Sequence, residues 1–458
     1  MIVMKFGGTS VQDAKAIERA GAIVKGRVEQ KAVVVVVSAM AKVTDQLLAM
    51  ARAAGAGDRK TALKLCRALQ ERHYNTAGEL LGTALFTQFH SDLGADFETL
   101  EELLRGISAV GELTPRTTDY VSAFGEILSS KIVAAAFSAL GMPSTLVDSR
   151  EWLVTDSTHM RAAPLFEETN QRLQSRVAPL VAAGKVPVMG GFIGASKAGI
   201  TTTIGRGGSD YSAAIAGAGL GAERIEIWTD VDGMMTTDPR LCAEARRIKV
   251  ISFDEAAELA YFGAKVLHPA TVLPAVQRNI PVYILNSGNP KCEGTRITAR
   301  APRCRNSFKA IAVKKRITIV DVAAPRMQLA HGFLSSIFAA FDRHRVAVDV
   351  VSTSEVSVSL TVDSNESIPP LAADLAKLAD VKYEGRKAIV CLVGENLRDT
   401  PGIAARVFGE LADVKIRMIS QGASEINLTF VVEEDVVSDV VQRLHKTFFS
   451  DLDPEVFA

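Results

Sequence analysis

The sequence predicts an α/β chain: an open, mostly parallel sheet with helices on both faces, followed by two smaller α+β modules. Three observations carry that expectation. Short apolar runs at Ile2–Phe6, Ala32–Ser38, Val186–Ile193 and Arg224–Thr229 alternate with segments of helical periodicity, the pattern of buried parallel strands joined by crossover helices. From Gly288 to Arg305 the chain is aperiodic, with Pro, Gly, Cys and basic residues, and reads as a domain boundary. Beyond it the chain repeats itself. Gly332, Phe338, Phe341, Val346, Val348, Ser354-Glu355 and Leu360 recur 70 residues later as Gly402, Phe408, Leu411, Ile416, Met418, Ser424-Glu425 and Phe430. Each copy reads strand, helix, strand, strand, helix, strand, a module whose sheet edges can pair with one another.

With 458 residues, 48% of them apolar, the chain can build two or three cores. Lys plus Arg equals Asp plus Glu at 52 each, so no overall positive field favours nucleic acid or an anionic membrane. The longest clean apolar run is far short of the ~20 residues needed to span a bilayer, and no signal-peptide layout precedes the first strand. A cytoplasmic protein is therefore expected. Five scattered cysteines without a CxxC pair read as reduced thiols, and seven histidines without ligand spacing predict no zinc site.

At the first strand, Lys5 precedes the turn Gly7-Gly8-Thr9-Ser10, and Ala14, Ile17, Ala20 and Val24 then recur at helical spacing. A strand, glycine loop and helix aim N–H groups at a phosphate, with Lys5 able to reach over it. The loop is not a Walker A sequence. Ser38 and Thr44 flank the C-terminal end of the second strand, where ligands of open α/β sheets gather. Residues 46–112 read as a helical insertion, with His73 and His90 expected at its surface. Next comes a helix from Asp119 to Lys131 that sets Glu126 among small and apolar neighbours. A carboxylate there needs a structural arginine or the ammonium group of a ligand.

Strands Ser144–Asp148 and Val186–Ile193 flank a charged helix at Ala163–Val181, and Gly190-Gly191-Phe192-Ile193-Gly194 leaves backbone room for a ligand. The stretch Thr201 to Tyr211, with three glycines, Arg206, Ser209 and Asp210 ahead of an Ala-rich segment, reads as a hairpin ending in an anion site. Ser209-Asp210 would cap the following helix, and Arg206 supplies a fork for a carboxylate or phosphate. Asp230-Val231-Asp232-Gly233 turns after the strand Arg224–Thr229, and Thr237-Asp238-Pro239-Arg240 adds a second arginine. Lys265 follows a helix at Ala256–Tyr261, and His268, before a proline, reads as structural.

With Lys5-Phe6-Gly7-Gly8-Thr9-Ser10, Phe124-Gly125-Glu126, Thr201 to Tyr211, Trp228-Thr229-Asp230, Thr237-Asp238-Pro239-Arg240 and Phe262 to Pro269 in one order, the chain resembles the aspartate kinase family almost end to end. It is most similar to the monofunctional, lysine-sensitive type. The resemblance implies an amino-acid-kinase catalytic domain at 1–290, a linker at 291–308, and tandem ferredoxin-like ACT modules at 309–385 and 386–458. It also implies ATP-dependent phosphorylation of the L-aspartate side chain, with Mg²⁺. Lys5, Asp210 and Lys265 would be catalytic. Lys5, Gly7, Gly8, Thr229, Asp230, Arg240, Lys265 and Val266 would hold ATP, and Thr44, Glu126, Arg206 and Ser209 would bind aspartate. Met327, Gly332, Phe333, Leu334, Asp349, Ser354 and Glu355 would bind an effector, lysine first and threonine second. A homodimer through the ACT modules, possibly pairing further to a tetramer, is expected. Many relatives have tyrosine where this chain has Met235. The rival readings are another acylphosphate-forming amino-acid kinase and a non-catalytic amino-acid sensor.

Overall fold

The computed structural model describes residues 1–263, 269–323 and 332–458. They form two compact units, Met1–Gly233 with Val266–Arg300, and Met234–Lys265 with Ala301–Ala458.

In the first unit the strands run in the order Ser144–Val147, Val186–Gly190, Val33–Val37, Ile2–Phe6, Arg224–Thr229, Val282–Asn286 and Thr295–Thr298. All neighbours are parallel except the last pair. The runs are apolar on both faces because both faces are covered. Ile2, Met4 and Phe6 join Val33, Val35 and Val37 in a core with Ile17 and Val24 of helix Ala14–Val28 and with Ile132, Val133 and Phe137 of helix Pro115–Ala139. Val3, Val34 and Val36, which point the other way, are equally buried. Strand Ile2–Phe6 is where the order reverses. The chain builds outward from it to Val33–Val37 on one side and later to Arg224–Thr229 on the other, so a crevice opens beyond the strand's C-terminal end. A small second sheet contains the expected hairpin, Ile193–Ser196 antiparallel to Thr201–Thr203, with Val154–Thr155 alongside.

Helix Pro115–Ala139 has the length and apolarity of a membrane span, and 78% of its most apolar stretch is buried inside the unit. The helical insertion consists of Val43–Gly55 and of Arg59–Val110, which is bent at Gly82 (φ 64°, ψ 173°). His73 departs from its expected surface position. It is fully buried, its Nδ1 2.8 Å from the Leu69 carbonyl and its ring edge-on to Phe97. The bend lets the two halves of the helix pack on one another, and that packing covers a residue whose local sequence reads as polar. His90 is exposed and stacked on Tyr74.

The second unit holds one six-stranded antiparallel sheet, in the order Val348–Thr353, Ser357–Asp363, Ala310–Ala323, Asp380–Val393, Asn427–Glu433, Met418–Gln421. Both repeats are present, joined through their two long strands. Residues 317–323 pair with the first copy's Ser357–Asp363, and residues 387–393 pair with the second copy's Asn427–Glu433. The second copy differs from the sequential reading, because its closing strand comes from Ala310–Lys314, which pairs with Ile389–Val393. Where each long strand passes between copies the backbone turns left-handed, at Arg316 (φ 59°) and Arg386 (φ 56°). Glycines Gly332 (φ 85°) and Gly402 (φ 74°) begin the equivalent helices. Both pairs keep the 70-residue offset.

Candidate active site

The crevice predicted by the sheet order is a cavity of about 360 Å³ in the first unit. Its lining includes Lys5, Gly8, Ser38, Thr44, Glu126, Arg206, Ser209 and Asp210, residues drawn from segments up to two hundred positions apart. Lys5, at the end of the first strand and only 8% exposed, sets its Nζ 2.7 Å from Asp210 Oδ1. The loop behind it is tied to the neighbouring strand. The Gly7 N–H donates to the Trp228 carbonyl at 2.9 Å, and the Ser10 hydroxyl donates to the same oxygen at 3.2 Å.

Two helices start at this cavity. Val43–Gly55 begins after Lys42 (φ 66°), and Gly208–Leu220 after Gly207 (φ 71°). The expected capping by Ser209 and Asp210 is corrected here. The cap position is Gly207, and Ser209 and Asp210 lie in the first turn, with no side-chain cap at either helix. Two uncapped, positive helix ends facing one cavity favour an anion. Ser209 sits tightly against Gly191, where a Cβ would come within 2.6 Å of the Ser209 Cα and Cβ.

Glu126 forms one wall. Its Oε1 accepts from the Ala39 N–H at 3.1 Å, while its Oε2 is buried without a hydrogen-bond partner among the described residues. Burial pushes this carboxyl up to about 8, against the opposing pull of the Ala39 N–H and of Lys5. Such a group stays neutral until a cation arrives beside it. Arg206 is exposed at the rim. One cleft thus brings together a buried carboxyl, a rim guanidinium, a lysine and two helix N-termini, the charges needed to receive an ammonium group and anions.

Among the other expected ATP contacts, Thr229 and Asp230 end the strand next to Lys5, with the Thr229 hydroxyl 3.2 Å from Asp230 Oδ1, and they do not line the cavity. Arg240 belongs to the second unit, where Asp238 holds its guanidinium through two contacts at 3.0 and 2.6 Å. Lys265, Val266 and His268 lie outside the described residues, as does Met327.

Known proteins align with this arrangement along nearly the whole chain. Residues 1–286 match the amino acid kinase family, and residues 390–448 match the ACT domain. The chain is 37% identical over 98% of its length to aspartokinase 1, chloroplastic, of Arabidopsis thaliana, covering 80% of that protein. With lysine-sensitive aspartokinase 3 of Escherichia coli it shares 36% identity over 98% of this chain and 99% of that one. The crystal structure of E. coli aspartokinase III in complex with aspartate and ADP superposes with a TM-score of 0.84 at 35% identity, covering 98% of this chain and 100% of that one. The chain belongs to the aspartokinase family. It is an aspartate kinase, a phosphotransferase that uses ATP.

In this aspartokinase the expected effector positions occupy three places in the first ACT copy. Gly332, Phe333 and Leu334 start the helix Phe333–Arg343, Asp349 lies on the sheet's edge strand, and Ser354 with Glu355 falls in the hairpin turn after it. Asp349 is engaged by Lys314 Nζ at 2.8 Å and by the Tyr261 hydroxyl at 3.2 Å. The stretch Gly190 to Gly194, expected to leave backbone room for a ligand, also brings a side chain to the cleft, and the role of Asp119 escaped the sequence reading. Phe192, at φ 63°, lines the cavity. Asp119 is a fully buried carboxylate on the helix that carries Glu126. The available signal for Asp119 was its spacing: two carboxylates seven residues apart share one face of a largely buried helix.

Proposed function

We propose that this aspartokinase transfers the γ-phosphoryl group of ATP to the side-chain carboxylate of L-aspartate, giving 4-phospho-L-aspartate and ADP, as the first step toward lysine, threonine and methionine, and that lysine inhibits it through the ACT copies. The supporting observation is the single cleft in which the Lys5–Asp210 pair, Glu126, Arg206 and two uncapped helix N-termini meet. Arg206 takes the α-carboxylate of aspartate and Glu126 its ammonium group, with Thr44 and Ser209 as polar neighbours. Lys5, Gly7, Gly8 and Lys265 surround the ATP phosphates, while Thr229, Asp230, Arg240 and Val266 hold the nucleotide.

A carboxylate nucleophile is already ionised at neutral pH, with an ordinary pKa of about 3.9, so no general base is required. The barrier is repulsion between two anions, and positive charge with in-line positioning lowers it. Asp210 orients Lys5. Mg²⁺ brought in with ATP would have Asp210, beside Lys5, as its nearest carboxylate in the cleft. Bound there, Mg²⁺ would offset phosphate charge.

Regulation has a physical route in helix Phe253–Tyr261, which ends four residues before Lys265 and reaches both ACT copies. Its Glu255 pairs with buried Lys309 at 2.9 Å, Glu258 accepts from Ser424 (3.2 Å) and Asn427 (2.8 Å), and Tyr261 bonds Asp349. Lysine is favoured over threonine because the lysine-sensitive E. coli relative aligns end to end, and an aspartokinase III structure is a complex with lysine and aspartate. The exposed edge strand Val348–Thr353 supports a homodimer through the ACT copies. The domain limits 1–290, 291–308, 309–385 and 386–458 and a cytoplasmic location complete the reading. The test is ADP release with L-aspartate, glutamate or N-acetylglutamate as acceptor, with and without lysine or threonine. Aspartate-specific turnover that lysine suppresses, and that falls roughly 10²- to 10³-fold in Lys5→Ala, is expected. Turnover only with another acid, or none, overturns it.

A further inference from the structure

We infer that Asp119 is a positioning residue for the aspartate subsite, fixing the Arg206 turn onto the helix that carries Glu126. The inference rests on the aspartate kinase reading and adds to it residues that do not touch the substrate. Asp119 has no exposed surface. A buried carboxylate is costly unless its lone pairs are filled, and this one is surrounded by donors from two other segments. Its Oδ1 accepts from the Thr203 hydroxyl at 2.5 Å, its Oδ2 from His159 Nδ1 at 2.7 Å, and both from the Met160 N–H at 3.0 Å. The acceptor role of Asp119 puts the His159 proton on Nδ1.

The two segments it gathers are those that support the turn carrying Arg206. Thr203 ends the hairpin strand three residues before Arg206, and its carbonyl accepts from the Ala162 N–H at 2.9 Å. Ile204 donates to the Phe192 carbonyl at 3.0 Å, and Gly205, at φ 81°, leaves room for a Cβ only 3.4 Å from the Met160 carbonyl. Met160 is itself left-handed at φ 68°, a conformation that a non-glycine residue keeps only where its surroundings enforce it. Its N–H bonds to both Asp119 oxygens supply that enforcement. Among the described residues no carboxylate is paired with Arg206, so the turn beneath it sets only where its side chain leaves the backbone. Asp119 and Glu126, two helical turns apart on one face, thus fix the distance between the turn whose arginine would receive the carboxylate and the group that would receive the ammonium of one amino acid.

The test is steady-state kinetics on the full chain, varying aspartate and ATP separately, for Thr203→Val, Thr203→Ser and Asp119→Asn. Thr203→Val removes one donor with little change of volume. It should raise the aspartate KM roughly 10- to 30-fold while the ATP KM stays within about twofold, and Thr203→Ser should restore the wild-type aspartate KM. Should Asp119→Asn fail to fold, the threonine pair decides alone. An unchanged aspartate KM in Thr203→Val, or a parallel rise in both KM values that serine does not rescue, overturns the inference while leaving the kinase reading intact. Wild-type protein without aspartate-dependent turnover removes that reading and this inference with it.

Discussion

Lys314, at the end of the strand segment that closes the second ACT copy, and Asp349 of the first copy form a close ion pair, the lysine Nζ lying 2.8 and 2.9 Å from the two carboxylate oxygens. Partial burial opposes the lysine's charge, yet hydrogen bonds to Asp349 and Asp363 carry its pKa above the ordinary value. An effector amine that uses Asp349 must compete with this resident cation. Replacing Lys314 with methionine should therefore lower the lysine concentration for half-inhibition, by roughly the tenfold that about 1.4 kcal/mol represents. Inhibition curves of the two proteins at fixed ATP check it. An unchanged or higher half-inhibition value would show that Asp349 does not receive the effector.

Glu126 predicts a pH dependence with a definite sign. Its carboxyl rises from an ordinary 4.5 to about 8 in the folded chain because it is buried. Below about 4.5 both states are protonated and the group is silent. Between 4.5 and 8 the unfolded chain has lost the proton that the folded chain retains, so stability declines as pH rises through that window. Glu126→Gln should abolish the decline. At pH 8 the ligand-free variant should be more stable than the parent by on the order of 1–3 kcal/mol, although its aspartate KM rises. Urea midpoints at pH 5, 6.5 and 8 test this, and parallel pH profiles for the two proteins would contradict it.

The parts legible in the sequence were those with a local cause. Buried strands read directly from runs such as Val33–Val37, and the parallel sheet follows from their alternation with helices. Lys5, Glu126 and Arg206 stood out because each is a charge in an apolar or glycine-rich setting. Features set by tertiary context did not read out. Ala310–Ala323 is continuous in the sequence, and nothing local says that its first half, set off in space by the left-handed turn at Arg316, completes the second repeat. The start of helix Gly208–Leu220 moved to Gly207 because a left-handed glycine took the position a side-chain cap would have filled. Asp119 acquires its meaning only from donors some forty and eighty residues away.

Gly191 is predicted to tolerate no side chain. A Cβ there would lie 2.6 Å from Ser209 backbone and Cβ atoms, so Gly191→Ala must push the first turn of helix Gly208–Leu220, with Asp210, away from Lys5. We expect a loss of about 1–3 kcal/mol in stability and a fall in turnover larger than any change in ATP KM. Gly26→Ala is the control, since a Cβ at that helical position meets nothing within 4 Å and should stabilise by about 0.5–1 kcal/mol. Equal behaviour of the two variants would refute the steric account.

His73 should govern part of the acid limb of stability. Burial lowers its pKa from 6.5 to about 4, only partly offset by the Leu69 carbonyl, and its Nε2 has no hydrogen-bond partner among the described residues. Above about 6.5 the ring is neutral in both states. As pH falls from there toward 4, the unfolded chain takes up a proton that the folded chain refuses, and stability drains away by about 2–3 kcal/mol. His73→Leu removes the titrating group and the orphaned nitrogen together, leaving an apolar side chain against Phe97. The variant should then unfold at nearly the same urea concentration as the parent at pH 7.5 but at a higher one at pH 5. If both proteins lose the same stability between these values, the histidine is not the group responsible.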